Sequence, residues 1–134
     1  MIKYGGEQHA IDLMRREDNR SWLGMLKAGA TITMEAWNDE VKPNQDWNHA
    51  WSTAPGNIIP RYLAGIRPTA FGFKTFAVDP RPGDVQQFTI KQPTPQGAVV
   101  MEYDHGHIKL QVPENSSAIC AGKILAAGTH EINI

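Results

Sequence analysis

The sequence predicts an α+β fold in which N-terminal helices are followed by an antiparallel β-sandwich. Before Gly29 and again over residues 48–64, apolar residues recur at intervals of three and four, which is the spacing of a buried helix face. From residue 66 onward, short runs rich in β-branched and aromatic residues alternate with clusters of Pro, Gly and Asn, a pattern typical of antiparallel sandwiches. We therefore assign residues 1–65 to a helical segment and residues 66–134 to a β-sandwich domain.

Two short helices are predicted before Gly29. The first spans Glu7 to Arg16, and the second follows Ser21, a residue type that caps helix N-termini. Gly29 is a typical stop signal for the second helix. Their buried sides are predicted to consist of Ala10, Ile11 and Met14 in the first helix, and of Trp22, Leu23, Met25 and Leu26 in the second.

Residues 30–43 predict an extended segment and loop, after which helical spacing returns over residues 48–64. Pro55 and Pro60 interrupt this second stretch, and an internal proline costs a helix about 3 kcal/mol. We expect a kinked or broken helix that restarts near Pro55, is tolerated because its apolar face is buried, and ends at Gly65.

Six short strands are predicted in the second half. A hairpin turning at His105-Gly106 joins two of them. Its inward faces are Val99, Met101 and Tyr103 on one arm and Ile108, Leu110 and Val112 on the other. The six strands are Phe73–Val78, Val85–Gln92, Ala98–Tyr103, His107–Val112, Ala118–Ala121 and Thr129–Ile134.

Composition excludes several classes of partner. Thirteen Lys and Arg stand against fourteen Asp and Glu, for a net charge of -1, and the two signs are interspersed. We therefore predict no nucleic-acid partner, and no apolar run approaches the roughly 20 residues that cross a membrane. Cys120, the single cysteine, excludes an internal disulfide and is predicted to be a core residue. The localisation stays open.

A carbohydrate site is indicated between Gly29 and Trp51, a segment that holds Glu35, His49 and three of the chain's four tryptophans. A carboxylate can activate water or protonate a glycosidic oxygen, and indole faces stack against sugar C–H groups. Glycoside hydrolysis usually needs two carboxylates, and the other acidic residues of the segment are interpreted as solvated loop residues. These are Asp39, Glu40 and Asp46.

Each candidate also has a structural interpretation. Glu35 is either the reactive carboxylate or a loop residue that caps a helix or pairs with a surface lysine. His49 either contacts a sugar hydroxyl or bonds the backbone at a helix start. Trp37 is interpreted as a wall that faces the sugar and Trp51 as a core residue. Trp47 is a candidate for either role.

No cofactor and no metal are predicted. His105 and His107 are two residues apart and could share an ion on one strand face. They flank a turn glycine and lack an evident third ligand, so we assign them no metal.

The ordered set of motifs resembles the C-terminal end of bacterial α-L-rhamnosidases, from about Gly5 to the end of the chain. Met34 and Ala36 depart from that pattern, since family members often carry an aromatic residue before the glutamate and a basic residue after it. The matching motifs are Ser21-Trp22, Gly29-Ala30-Thr31 running into Glu35 and Trp37, Asn48-His49, Leu63-Ala64-Gly65-Ile66, Pro68, Gly72-Phe73-Lys74, Pro80 and Thr94-Pro95-Gln96-Gly97.

The resemblance implies that the helical segment supplies the last helices of an (α/α)6 catalytic barrel, with the sandwich after it. It implies an inverting glycoside hydrolase acting on terminal α-L-rhamnosides, in which Glu35 is the catalytic base. Trp37, Trp47 and His49 are our candidate sugar contacts in that site. The general acid would lie upstream in the missing N-terminal barrel, so we expect the isolated chain to be inactive. The alternatives are a carbohydrate-binding or structural module without catalysis, and an interaction protein that uses an apolar helix side.

Overall fold

The computed structural model describes residues 5–134 and has the predicted α+β architecture. Two compact units divide the chain, one ending at Ile58 and the other running over Ile59–Ile134. Over residues 5–58, the first unit contains three α-helices, α1 (Glu7–Arg15), α2 (Trp22–Lys27) and α3 (Ala54–Ile58), and a 3₁₀ turn at Ala50–Ser52. The second unit contains a π-helical turn (Ile59–Leu63), a 3₁₀ turn (Phe71–Phe73) and eight strands.

Local sequence signals account for α1 and α2. The Ser21 hydroxyl accepts the backbone N–H of Gly24 at 2.9 Å, which completes the predicted N-terminal cap of α2. Gly29 has a φ of +92°, the left-handed conformation that a glycine adopts easily after a helix. The predicted buried stripe is wrong at Leu26, which is 66% exposed, because α2 has fewer than two full turns and only Met25 is fully covered.

The predicted break in the following helical stretch is confirmed. Pro55 is the second residue of α3 and Pro60 is the second residue of the π-helical turn. Pro55 stands in the first turn of α3, where the N–H groups lack intrahelical partners in any case. Pro60 instead lies inside an unbroken helical run, residues 54–63, at the point where the α-helix passes into the π-helical turn. The expected buried apolar face is wrong as the reason why the two prolines are accepted, because Ile59 is 43% exposed and Trp51 is 79% exposed.

The eight strands form two four-stranded sheets. One sheet has the order β1-β2-β6-β7 and the other has the order β3-β4-β5-β8. All adjacent strands pair antiparallel except β2 and β6, which are parallel. The strands are β1 (Ile66–Pro68), β2 (Thr75–Val78), β3 (Gln87–Gln92), β4 (Val99–Asp104), β5 (His107–Val112), β6 (Ser117–Cys120), β7 (Lys123–Leu125) and β8 (Gly128–Asn133).

Both sheets contribute to one hydrophobic core. Phe76 and Cys120 from the first sheet and Met101 and Leu110 from the second belong to the same buried cluster. The predicted hairpin at His105-Gly106 is confirmed, and its arms alternate between buried and exposed residues as expected. Inward-facing residues, which the alternation of apolar and polar positions in the sequence predicted, therefore pack the core of the sandwich.

Two strands were missed in the sequence, β1 and β7. Each has three residues, which is too short for an alternating pattern to be recognised. The predicted start of β2 at Phe73 is also wrong. Phe73 has a φ of +61° and ends a 3₁₀ turn, so the strand begins two residues later.

Candidate functional site

Two loop segments of the first unit lie side by side and position Glu35. The backbone N–H of His49 donates to the carbonyl oxygen of Thr33 at 2.8 Å, and the Thr33 hydroxyl donates to the carbonyl oxygen of His49 at 2.7 Å. The N–H of Glu35 donates to the carbonyl oxygen of Asp46 at 2.9 Å. These bonds pair residues 33–35 with residues 46–49 in antiparallel fashion, although neither segment is a regular strand.

The carboxylate of Glu35 is bound from two sides. It accepts the backbone N–H of Asp46 at 3.1 Å and an ion pair from the ammonium of Lys42. The hydrogen bond from Lys42 and, after it, the one from Asp46 hold the pKa of Glu35 below its ordinary value. Only 17% of the Glu35 side chain is exposed. The group is therefore ionised at neutral pH, which is the form that a general base requires.

The ion pair bears on both interpretations of Glu35. The structural alternative anticipated a lysine partner, and Lys42 is that partner. The lysine side chain is itself 46% exposed, so its head can move into solvent without opening the loop. Glu35 thus pairs with a lysine, as a purely structural loop residue would, and its carboxylate is also the group that would act as the base.

Gln45 contributes to this loop and escaped the sequence analysis. It is 8% exposed, and its side-chain oxygen accepts the backbone N–H of Ala36 at 2.9 Å. Its amide nitrogen donates to Oδ1 of Asp39 at 2.8 Å. A glutamine within a polar loop carries no periodic or motif signal, and only the folded loop shows that both ends of its amide are bonded.

Trp37 and Trp47 meet at a cavity of about 200 Å³. The indole N–H of Trp47 donates to Oδ1 of Asp39 at 3.3 Å, and Trp47 is 41% exposed. The Trp37 ring meets Trp22 edge to face, with 5.1 Å between ring centroids. Trp37 is consequently both a cavity wall and a core residue. The lining residues are Asn19, Gly24, Ala28, Met34, Trp37, Asn38, Asp39 and Trp47.

The cavity of about 200 Å³ holds two of the four candidate residues. Trp37 and Trp47 line the cavity just described, whereas Glu35 and His49 do not belong to its lining. Met34, which is 1% exposed, lines it instead. Glu35 and His49 are linked through the paired segments. The candidates form two adjacent pairs along one loop.

His49 bonds the backbone, as its structural interpretation anticipated. Its ring Nδ1 accepts the N–H of Trp51 at 3.3 Å and so caps the 3₁₀ turn at Ala50–Ser52. The His49 and Trp51 rings meet edge to face, with 4.7 Å between their centroids. The assignment of Trp51 to the core was wrong, since it is 79% exposed. The stripe that suggested burial assumed α-helical spacing at Trp51, whereas Ala50–Ser52 form a 3₁₀ turn, which has a different period.

The remaining candidates for special chemistry belong to the sandwich. His105 bonds Asp104 and Gln86, while His107 bonds Oδ1 of Asn133 at 2.9 Å. Within residues 5–134 there is no group of three His, Cys, Asp or Glu residues that could hold a metal ion. Cys120 is 1% exposed, and burial raises the pKa of its thiol, which confirms the predicted core role.

A second cleft in the first unit is apolar and has a volume of about 340 Å³. Leu26 and Ile32 on its border are 66% and 48% exposed. The cleft is lined by Trp22, Met25, Leu26, Ala30, Thr31, Ile32, Thr33, Thr53, Pro55 and Gly56.

In the part of the chain that the structure describes, no helix has the length and apolar character needed to cross a membrane.

Comparison with known protein families gives two adjacent matches. Residues 1–63 match the family described as bacterial alpha-L-rhamnosidase 6 hairpin glycosidase domain. Residues 65–121 match the bacterial alpha-L-rhamnosidase C-terminal domain. A search of curated proteins finds no match.

Solved structures of α-L-rhamnosidases share the fold. The native enzyme from Aspergillus terreus aligns with 98% of this chain at 26% identity and a TM-score of 0.83. The Streptomyces avermitilis enzyme complexed with L-rhamnose (19% identity, 91% coverage) and the Dictyoglumus thermophilum enzyme (22%, 88%) both have a TM-score of 0.75. The aligned part spans only 18%, 15% and 14% of these three chains.

Proposed function

We propose, from the premise that this chain belongs to the bacterial α-L-rhamnosidase family, that it is the C-terminal part of a glycoside hydrolase acting on terminal α-L-rhamnosides. The chain spans less than a fifth of the length of the solved relatives. A complete catalytic site would therefore need a larger barrel from preceding sequence, with residues 1–65 as its last helices and residues 66–134 as the sandwich domain.

One observation carries the proposal, namely the anchoring of Glu35. An inverting glycosidase needs an ionised carboxylate that removes a proton from water as that water attacks the anomeric carbon. Glu35 is held ionised by Lys42 and by the Asp46 N–H, and its backbone is fixed by the pairing with Asp46. A base with a defined charge and direction is what this loop supplies.

The chemistry requires a second carboxyl group across the scissile bond. That group gives its proton to the leaving oxygen as the glycosidic bond breaks, while Glu35 takes a proton from the water that bonds the anomeric carbon. Because the water attacks the face opposite the leaving group, the released sugar has inverted configuration. The two carboxyl groups of inverting enzymes stand about 6.5–9.5 Å apart. We place the acid in the preceding barrel and propose that Lys42 leaves the Glu35 oxygen when the water arrives.

Sugar contacts are proposed for Trp37, Trp47 and His49. Trp37 and Trp47 already frame a cavity large enough for part of a sugar ring, and Asp39 at its border provides an acceptor for hydroxyl groups. The Nδ1 atom of His49 accepts a backbone N–H. A neutral imidazole then carries its proton on Nε2, which leaves Nε2–H as the donor to a sugar hydroxyl.

Hydrolysis of an aryl α-L-rhamnoside tests the proposal. The protein that includes the preceding barrel should release the aryl group, and the 134-residue chain alone should not. Glu35→Gln should abolish turnover in the longer protein, while Glu40→Gln, a matched change in the same loop, should preserve it. Turnover by the isolated chain that is lost in Glu35→Gln would instead place an acid inside these residues.

The cavity between the indoles also supports a second function, a carbohydrate-binding module without catalysis. Two indole walls and a carboxylate suffice to hold a sugar, and neither Glu35 nor His49 lines that space. Titration of rhamnose with tryptophan fluorescence distinguishes the two functions. Saturable binding by the isolated chain that is lost in Trp37→Ala and kept in Glu35→Gln would favour the module.

A further inference from the structure

Gln45 is buried in an otherwise exposed loop. Its neighbours Asn44 and Asp46 are both exposed, and Gln45 itself is 8% exposed. Polar side chains are rarely buried unless hydrogen bonds compensate for the water that they lose. Gln45 satisfies this condition at both ends of its amide, which marks it as a connecting residue.

The two ends of the Gln45 amide reach different parts of the candidate site. The oxygen accepts the N–H of Ala36, the residue directly after Glu35. The nitrogen donates to Oδ1 of Asp39, and this oxygen also accepts the indole N–H of Trp47. One side chain therefore joins the backbone that carries the carboxylate to the residue that orients an indole.

We propose that Gln45 is a positioning residue that sets the separation between Glu35 and the Asp39–Trp47 wall. The catalytic significance of this separation rests on the proposed function, because it matters only if Glu35 acts on a sugar held by that wall. The bonding itself does not rest on it. Small displacements of a positioned group reduce rates strongly.

Only an amide satisfies both partners. The Ala36 N–H needs an acceptor and the Asp39 carboxylate needs a donor, and glutamine offers one of each in a rigid plane. A glutamate at position 45 would keep the acceptor but place a second negative charge beside Asp39. A methionine of similar length would supply neither a donor of hydrogen bonds nor a strong acceptor.

The first test uses NMR on the 134-residue chain and does not depend on activity. Gln45→Met should raise the hydrogen-exchange rate of the Ala36 amide about fivefold, the factor that one hydrogen bond of ordinary net strength represents. It should also move the indole N–H resonance of Trp47. Gln45→Glu should move the Trp47 resonance and leave Ala36 protected. Asn44→Ala, the control, should change neither.

The outcomes decide the proposal in each case. Wild-type exchange at Ala36 and a wild-type Trp47 resonance in Gln45→Met would overturn it. If Gln45→Met loses the dispersed spectrum of the first unit, Gln45→Glu decides, and an unmoved Trp47 resonance there overturns the proposal. A residue that merely fills space would not produce the split between the methionine and glutamate variants.

The second test uses the longer enzyme. Gln45→Met should lower kcat/KM by about a hundredfold, the size expected when a reacting group is misplaced by an ångström, while Asn44→Ala should stay within about twofold. A normal kcat/KM in Gln45→Met would overturn the positioning role. Absence of turnover in the unsubstituted enzyme would instead refute the proposed function, and the NMR result would still decide whether Gln45 joins the two parts.

Discussion

Glu35 and Asp46 are joined by two hydrogen bonds that run in opposite directions. The N–H of Glu35 donates to the carbonyl oxygen of Asp46 at 2.9 Å, and the N–H of Asp46 donates to the Glu35 carboxylate at 3.1 Å. Both contacts on the Asp46 side come from the main chain. The Asp46 side of the Glu35 carboxylate is therefore held by the main chain, while Lys42 binds the other carboxylate oxygen.

Removal of the Lys42 ammonium should raise the pKa of Glu35. Lys42 is the first cause of its lowered pKa, so Lys42→Met should move the Glu35 titration toward the ordinary glutamate value of about 4.3. Carboxyl-carbon NMR of the labelled chain measures the titration. Lys27→Met removes an equal charge from a pair with Glu17 and should leave Glu35 unchanged, and an equal shift in both variants would refute the local cause.

The same ion pair makes stability depend on pH. A carboxyl group whose pKa is lower in the folded state stabilises the fold above its unfolded pKa, and that contribution disappears as the pH falls through the folded pKa. Stability of the first unit should decline on acidification below about pH 4.3, the ordinary glutamate pKa. Denaturation midpoints at several pH values would show a smaller decline in Lys42→Met than in the wild type.

Loss of the Ser21 cap should destabilise α2. The Ser21 hydroxyl accepts the Gly24 N–H and donates to the carbonyl oxygen of Asp18, both at 2.9 Å, and the residue is fully buried. Ser21→Ala should cost about 1 kcal/mol of unfolding free energy, measured by urea denaturation. Ser52→Ala removes a hydroxyl from a residue that bonds Trp22 through its main-chain carbonyl, and a similar loss there would contradict the cap.

Gly65 and Gly122 distinguish backbone strain from a steric clash. Both have positive φ, at +71° and +74°, but a Cβ on Gly65 would stand 2.0 Å from the carbonyl oxygen of Asp79, whereas one on Gly122 meets nothing within 4 Å. Gly122→Ala should cost about 1–2 kcal/mol for its left-handed backbone. Gly65→Ala should cost clearly more in the same thermal denaturation, and equal losses would contradict the close approach.

Two phenylalanines test the core of the sandwich. Phe76 is fully buried and Phe71 is 96% exposed. Phe76→Ala should cost about 3–5 kcal/mol, the range for a large core truncation, while Phe71→Ala should stay within about 0.5 kcal/mol. Chemical denaturation followed by circular dichroism compares them, and a large loss in Phe71→Ala would mean that its surface is covered in solution.

Periodic elements were predictable from the sequence because their patterns are local. The structure places α1 at Glu7–Arg15 and β5 at His107–Val112, within one residue of expectation. A helix face or an alternating strand shows its burial in the order of its own residues. The α+β architecture followed from these patterns alone.

The errors arose where the pattern depends on distant partners or is broken. Trp51 looked buried because α-helical spacing was assumed for its segment, and a 3₁₀ turn places it in solvent. The strand Ile66–Pro68 exists through its pairing with residues 76–78. Gln45 has no local signature, since its partners become visible only once the loop is folded.

The most direct test of the central claim is the rate at which the proposed longer enzyme hydrolyses an aryl α-L-rhamnoside, with Glu35 and with Glu35→Gln. General base catalysis contributes roughly 10²–10⁴-fold to rate, so kcat should fall by at least about a hundredfold in Glu35→Gln, with Glu40→Gln unaffected. A Glu35→Gln enzyme whose kcat stays within about twofold of the wild type would contradict the assignment of Glu35 as the base.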